Sequence, residues 1–472
     1  KNCNISMGSD GNSSAMGIEL TDAADNSTVI NNTIVGEMGY GIGAISNGPE
    51  YSLIEGNYIN VSAINSTGGG VSTDGIYLRN SDNNILANNT FISLAGRGIY
   101  FYGSSTNTFR NNTGISDSNY GIYLYAGSNA NLLINNTGIS TSSIGIVVQK
   151  YGGALTYHNI LINNTGTSNS SYGIWLGSVI NTTLTSNTGS SNSGSGIYFS
   201  SAANYNYLNS NIATSVSGHG IFFHSCSYNN LTSNIATSVS GSGIYIYSDS
   251  DNNIFINDTG MSNSSYGVAF VTYSTYPDSN TLINVSGISN FSYGVYFGRA
   301  INQNITNLRA EGRLAGSYGL YLRDSSNNIF RDCVNVSGVA GDVFVNSDTS
   351  PGTHNNSFIN CSYSSESVNG AGNDITRKWY YRAYVNDSSG NALSGVNVSG
   401  YNSSDVLQFS EMTNSSGYTN RTEIIDYVNV GGTKIYYSNY TINSSKGAFT
   451  TLSESYNVTA NENNLDYNFN FN

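Results

Sequence analysis

The stretch GIYLYAGSNANLLINNTG (121–138) decides the fold, because it is one turn of a coil that most of the chain repeats. A glycine opens a short strand. Ile122 and Leu124 point to one side of it and Tyr123 and Tyr125 to the other, since strand side chains alternate with period two. A polar bend follows, then a second apolar run at 132–134, then Asn135-Asn136 and a further turn. This reading gives two strands per turn.

The strand-opening glycines recur at Gly75, Gly98, Gly121, Gly145, Gly173, Gly196, Gly220, Gly243, Gly267, Gly294 and Gly319, in steps of 23 to 28 residues. Two copies, NSNIATSVSGHGIFF (209–223) and TSNIATSVSGSGIYI (232–246), are nearly identical at an offset of 23. A fixed period in the low twenties marks a solenoid rather than a globular core. Three apolar columns follow from the register. One holds Ile99, Ile122 and Ile146, the second Phe101, Leu124 and Val148, the third Phe109, Leu133 and Leu161. Three residues beyond the third column runs Asn89, Asn112, Asn136, Asn164, Asn187, Asn211 and Asn234. Asn suits a left-handed bend, so this column reads as structural. Earlier turns (1–74) are irregular, with an insertion of about ten residues expected around 60–70 because the step from Gly41 to Gly75 is 34. The chain opens at Lys1 inside a repeat, and a segment upstream of it is expected.

Charged residues make up only 10% of the 472, and Gly, Asn, Ser and Tyr take their place. A net charge of −13, with 16 Lys and Arg spread thinly, disfavours a nucleic-acid partner. No apolar run reaches 18 residues, so no membrane span is expected. Sequons of the form N-x-[ST] number 29, and they recur at one repeat position: Asn31, Asn88, Asn111, Asn135, Asn163 and Asn257. This recurrence predicts covalent N-glycans on a secreted, cell-surface protein. The competing reading is that Asn-Asn-Thr is simply good turn chemistry. Cys333 and Cys361 occupy the same repeat position one long turn apart. Stacked turns bring such positions within about 5 Å, inside disulfide reach. A disulfide is expected, with two buried thiols as the alternative.

These features resemble the right-handed parallel β-helix repeat family, in the form found in copper-periplasmic-type and archaeal surface proteins. The resemblance covers residues 1–362 and implies an all-β solenoid of about 14 turns, roughly 65–70 Å long at ~4.8 Å per strand. After Asn369 the pattern changes to short strand-like runs between turns, as in KWYYRAYV (378–385) and TKIYYSNYTI (433–442). Such spacing predicts an antiparallel β-sandwich. VNDSSGNALSGVNVSG (385–400) followed by TNSSGYT (413–419) resembles the immunoglobulin-like, carboxypeptidase-regulatory-like (transthyretin-like) sandwich, which implies a spacer or adhesive module without chemistry. The expected division is a β-helix at 1–369 and a sandwich at 370–472.

Parallel β-helices host polysaccharide lyases and hydrolases, so an enzyme is one reading. GHG at 218–220 resembles a polygalacturonase motif, but that chemistry needs converging carboxylates. The outward positions on adjacent turns are Tyr198, Ser200, Tyr245 and Tyr247. His219 therefore reads as repeat drift and no catalytic residue is expected. His224 likewise lacks acidic neighbours. Asp249 and Asp251 suit a solvated turn better than calcium. The four His are scattered, so no copper or zinc set and no cofactor is expected, despite the family's copper association. The unusual surface feature is an outward aromatic stripe. It comprises Tyr77, Tyr100, Tyr123, Trp175, Tyr198, Phe222, Tyr245, Tyr296, Tyr321 and Phe344, interrupted by Val147 and Ala269. Such a row suits a subunit contact or sugar rings, or reflects the strand propensity of Tyr.

The expectation that follows is a non-enzymatic extracellular structural glycoprotein. Without a capping helix on its first turn, the coil would join head-to-tail with other copies, a neighbour's sandwich domain covering that turn, into a filament, sheath or layer. The alternative is a surface adhesin that binds extracellular polysaccharide through the stripe. A polysaccharide lyase or glycoside hydrolase is the third reading.

Overall fold

The computed structural model describes residues 1–7, 15–62, 73–272, 275–348, 352–447 and 451–471. The insertion expected around 60–70 lies mostly outside them. The chain forms an all-β parallel solenoid of about 14 turns with a small antiparallel sheet near its C-terminus. Each regular turn contributes three strands rather than two. In one turn these are β1 (Thr108–Arg110), β2 (Thr113–Ser116) and β3 (Ile122–Tyr125). Their equivalents stack in parallel into three sheets, named I for the β2 stack, II for β3 and III for β1. Among the described residues sheet I has 14 strands and sheet II has 15. Register is one-to-one, as with Tyr100 beside Tyr123 and Leu133 beside Leu161.

The strand absent from the sequence reading is the one after the Asn pair. Its inward positions are small, Gly114 and Ser116 in one turn and Gly138 and Ser140 in the next. The reason is a close approach of two backbones. A Cβ on Gly114 would lie 2.3 Å from the Gly121 carbonyl oxygen, and one on Gly121 would lie 2.4 Å from the Ile139 amide nitrogen. Sheet I and the start of sheet II are thus in backbone contact, and apolar side chains fill only the remaining space. The three expected columns fill it and are fully buried, as at Ile122, Leu124 and Leu133. Phe199 and Phe223 stack at 4.7 Å within the second column.

The bend between sheets III and I is also displaced by one residue from the expected place. The left-handed residues are Asn88, Asn111, Asn135 and Asn163, with φ of 54–56°, not the following asparagines. Asn89, Asn112, Asn136 and Asn164 are buried in an amide ladder. The Asn112 side-chain amide donates to Asn136 Oδ1 at 3.0 Å and to the Leu86 carbonyl at 2.8 Å, and its backbone N–H donates to the same Oδ1. Each rung satisfies backbone groups that the turn leaves unpaired. A second ladder, through Asn84, Asn107, Asn131 and Asn159, does the same ahead of sheet III. The first ladder ends in Asp258, Val285, Leu308 and then Cys333 and Cys361, which are disulfide-bonded with Cα atoms 4.2 Å apart.

The solenoid runs into the C-terminal part without a break in sheet III. β4 (Asp374–Tyr381) pairs in parallel with the last solenoid strand, Asn356–Ile359, and antiparallel with Thr422–Val430. Beyond it, a four-stranded antiparallel sheet has the order Leu407–Met412, Asn397–Tyr401, Tyr440–Ser445, Leu452–Tyr456. Ala383–Asp387 pairs in parallel with Tyr467–Phe471. Trp379, Tyr381, Val398 and Phe469 share a core here.

Candidate functional site

Sheet II carries the outward aromatic row, and its register puts equivalent residues one strand apart. Tyr77 and Tyr100 stack at 4.8 Å, Tyr100 and Tyr123 at 5.2 Å, and Tyr198 and Phe222 at 4.9 Å. A tyrosine precedes five of the eleven strand-opening glycines, as Tyr120, Tyr172, Tyr266, Tyr293 and Tyr318, and forms a second aromatic position that packs against the first. Tyr120 meets Tyr123 at 4.7 Å and Tyr266 meets Tyr296 at 4.5 Å. The stripe is consequently much less exposed than a bare row: Tyr100, Tyr123, Tyr296 and Tyr321 are all below 10%. Arg97 seals one stretch. Its guanidinium lies 3.9 Å above the Tyr100 ring and pairs with buried Asp74 at 2.8 Å. Burial pushes the Asp74 carboxyl up, opposed by Arg97.

Both interruptions are filled. Ile144 and Val147 pack with Tyr123, Tyr172 and Trp175, and Ala269, fully buried, packs with Tyr245, Tyr266 and Tyr296. The face opens further along the same strands, at Val271 and Gly298. There lies a cleft of about 170 Å³, walled by Tyr245, Tyr266 and Tyr296 and bearing Arg299, Arg323 and Asp324 at one side. Gly298 makes room for the Tyr296 ring, since a Cβ there would lie 2.8 Å from its hydroxyl oxygen. Arg323 donates to the Tyr296 hydroxyl and pairs with Asp348. Arg299 faces Asp324 at 3.7 Å, and Asp324 Oδ1 accepts the Asp348 N–H at 2.9 Å. Burial pushes Tyr266 up to about 12 and also raises Tyr296, so both phenols keep their protons at neutral pH. The cleft thus offers aromatic faces, neutral hydroxyls, guanidinium donors and one carboxylate acceptor. The sequence reading missed the row to which Tyr266 belongs, because a tyrosine precedes only five of the strand-opening glycines. Arg299, Arg323 and Asp324 carry no sequence signal, because they follow the strand at irregular bends.

The remaining candidates fall elsewhere. Asn31, Asn88, Asn111, Asn135, Asn163 and Asn257 are exposed at the corner between sheets III and I, the one corner that sheet II does not form. Some contact each other, as where the Asn111 amide donates to Asn88 Oδ1 at 3.1 Å. Within GHG, the His219 ring stacks on Tyr245 at 4.1 Å and its Nδ1 accepts the Ser242 N–H. Burial lowers its pKa to about 4, so it stays neutral. His224 faces the Tyr198 hydroxyl at 3.3 Å and the Tyr247 ring. Asp251 accepts the Asp278 N–H, and burial raises its carboxyl.

Two overlapping segments, residues 60–151 and 139–284, match the family described as periplasmic copper-binding protein (NosD). No curated protein matches the chain. Among solved structures, the periplasmic alginate epimerase AlgG is similar at 11% identity and TM-score 0.37, over 66% of this chain and 74% of that one. A mutant tailspike protein of E. coli bacteriophage HK620 in complex with pentasaccharide is 10% identical, with TM-score 0.36, over 89% and 84%. PfbA, a surface adhesin of Streptococcus pneumoniae, is 10% identical, with TM-score 0.28, over 70% and 85%. Likeness this remote carries no functional argument.

Copper, named in the family description, needs a converging set of donors. Among the described residues no three His, Cys, Asp or Glu side chains converge. His219 is committed to Ser242, and the Cys226 thiol is buried and donates to the His224 carbonyl. Burial pushes that thiol up to about 12, away from the thiolate that would bind metal. These residues do not fit a copper site.

Proposed function

We propose that this protein is a non-enzymatic, extracytoplasmic carbohydrate-binding solenoid, with sheet II as its binding face. The observation that carries the reading is the open cleft at Val271 and Gly298. It combines ring faces from Tyr245, Tyr266 and Tyr296 with polar groups from Arg299, Arg323 and Asp324. Aromatic faces suit the apolar side of a pyranose, and a few convergent polar groups suit its hydroxyls. Hydrolysis by paired carboxylates needs an acid and a second carboxylate flanking the bond, and the cleft lining holds Asp324 alone. The proposed N-glycans fit the same scheme, since the sequon column lies on the corner that leaves sheet II uncovered. No helix among the described residues is long and apolar enough to cross a membrane. The test is a glycan array with the intact chain and a Tyr266→Ala/Tyr296→Ala variant. Specific binding lost in the variant supports the reading, and equal binding by both removes it.

Self-assembly is a second reading, favoured by an exposed apolar patch on adjacent turns. Ile212 and Ile235 are neighbours in sheet I at 46% and 44% exposure, and Val216 and Val239 beside them are at 47% and 48%. Two matching rows of this kind suit a lateral contact between copies. Sedimentation over a wide concentration range tests it, and a strictly monomeric chain counts against it.

A further inference from the structure

From residue 151 to 248 the chain holds no Asp, Glu, Lys or Arg, although one residue in ten is charged overall. Lys150 and Asp249 bound this belt. It supplies four strands of sheet I: Thr165–Ser168, Thr188–Ser191, Ile212–Ser215 and Ile235–Ser238. The last two belong to the near-identical turns and carry the exposed patch of Ile212, Ile235, Val216 and Val239. In the neighbouring strands the position of Ile212 and Ile235 is threonine, as at Thr165, Thr188 and Thr259. Strand propensity suits Ile as well as Thr, so this exchange alone decides nothing.

Both margins of sheet I change in the same turns. At the corner before the strand, the left-handed bend holds Asn135 and Asn163, then Ser186, Ser210 and Ser233, then Asn257 and Asn284. Each of these asparagines opens a sequon, and the serines remove it for three turns. At the corner after the strand, Asn169 opens a sequon, Asn192, Val216 and Val239 do not, and Asn263 and Asn290 do so again. The sequons thus bound a window three turns wide, and the exposed isoleucines and valines lie inside it. Glycans at these sequons, as proposed above, would flank the window and leave it clear. The other sequons of the belt, Asn181 and Asn230, lie at sheet III.

Charge indicates what the window faces. The chain carries a net charge of −13, so like copies repel wherever their charged turns meet. The ten strands of sheet I from Tyr58–Ser62 to Ser286–Ser289 hold no charged residue. Arg309 is three strands beyond Ile235. That is about 14 Å, farther than the Debye length of about 8 Å at physiological salt. Two copies can therefore meet here without that repulsion. The twin turns also make the patch self-complementary. A two-fold axis along the strands, between the two turns, sets each copy's Ile212 on the other's Ile235 and Val216 on Val239.

We infer that this window is a lateral contact between two copies of the chain, with their solenoids antiparallel. The inference rests on the self-assembly reading and gives it a place and a geometry. The belt's four strands of four residues offer on the order of 250 Å² per copy. A standard interface buries about 800 Å² per partner, so the contact is weak and concentration-dependent.

The test is sedimentation of the intact chain up to its solubility limit, beside Ile212→Thr/Ile235→Thr. That variant installs the residue of the neighbouring turns and creates no sequon, and thermal melts check that it folds. Tyr266→Ala/Tyr296→Ala on sheet II is the control. The intact chain should self-associate, the Thr variant at least fivefold more weakly, and the sheet II variant unchanged. Equal association in the Thr variant, or its loss in the sheet II variant, overturns the placement while self-assembly stands on another surface. A chain that is monomeric at every concentration overturns both. Co-sedimentation with insoluble cellulose and chitin covers the other occupant. If a monomeric chain binds either and the Thr variant does not, the window belongs to an uncharged polymer and the inference is overturned.

Discussion

Asp258 ends a buried ladder that is otherwise made of amides. It accepts from the Asn234 N–H and side-chain amide and from the Ile256 N–H, yet burial raises its pKa to about 7. A carboxyl raised on folding contributes stability that is complete below its unfolded value, near 4, and lost as pH climbs to about 7. The protein should therefore melt lower at pH 8 than at pH 5. Asp258→Asn should flatten that difference and stabilise the protein at pH 8, by on the order of 2–4 kcal/mol, with a correspondingly higher melting temperature. Calorimetry at both pH values checks it, and an unchanged pH profile in the variant would count against it. The glycine columns allow a second comparison. Gly121→Ala places a Cβ against backbone atoms at 2.4 and 2.7 Å, whereas a Cβ on Gly153 meets nothing within 4 Å. Gly121→Ala should cost about 3 kcal/mol or more by forcing the backbones apart, and Gly153→Ala less than about 1. Urea melts would separate them.

At the scale of the turn, Asn135 and Asn136 are adjacent but opposite in role. Asn136→Ala strands buried groups on Asn112, Phe109, Ile134 and Asn164, so a loss of about 3 kcal/mol is expected. Asn135→Gly should be nearly neutral, because glycine accepts the φ of 56° that Asn135 adopts. Equal losses in chemical denaturation would show that the bend, not the ladder, matters. The sequence made sheets II and III legible because their inward columns are Ile, Leu and Phe. It hid sheet I because Gly138 and Ser140, the inward residues of that strand, are small enough to read as turn. The Asn column was legible as structural, but its bend was placed one residue late: Asn at both positions gives no contrast to read. On sheet II the stripe was legible, while its closure was not, because Arg97 and the rings before the glycines cover it from neighbouring positions.

At the scale of the whole molecule, the solenoid separates its features onto different faces. Sheet II carries stacked rings, the corner between sheets III and I carries the sequons, and sheet III continues into the C-terminal strands. Most of the aromatic face is closed on itself, so binding is expected where Val271 and Gly298 leave it open. Replacing Val271, which lines the cleft and is partly exposed, by Tyr should fill the cleft beside Tyr247. The decisive measurement is the affinity of the intact chain and of Val271→Tyr for the best ligand from a glycan array, by titration calorimetry. Measurable binding by the intact chain is expected, with at least a tenfold loss in a folded Val271→Tyr. Equal affinity in the two proteins would contradict it and leave sheet II a structural ladder.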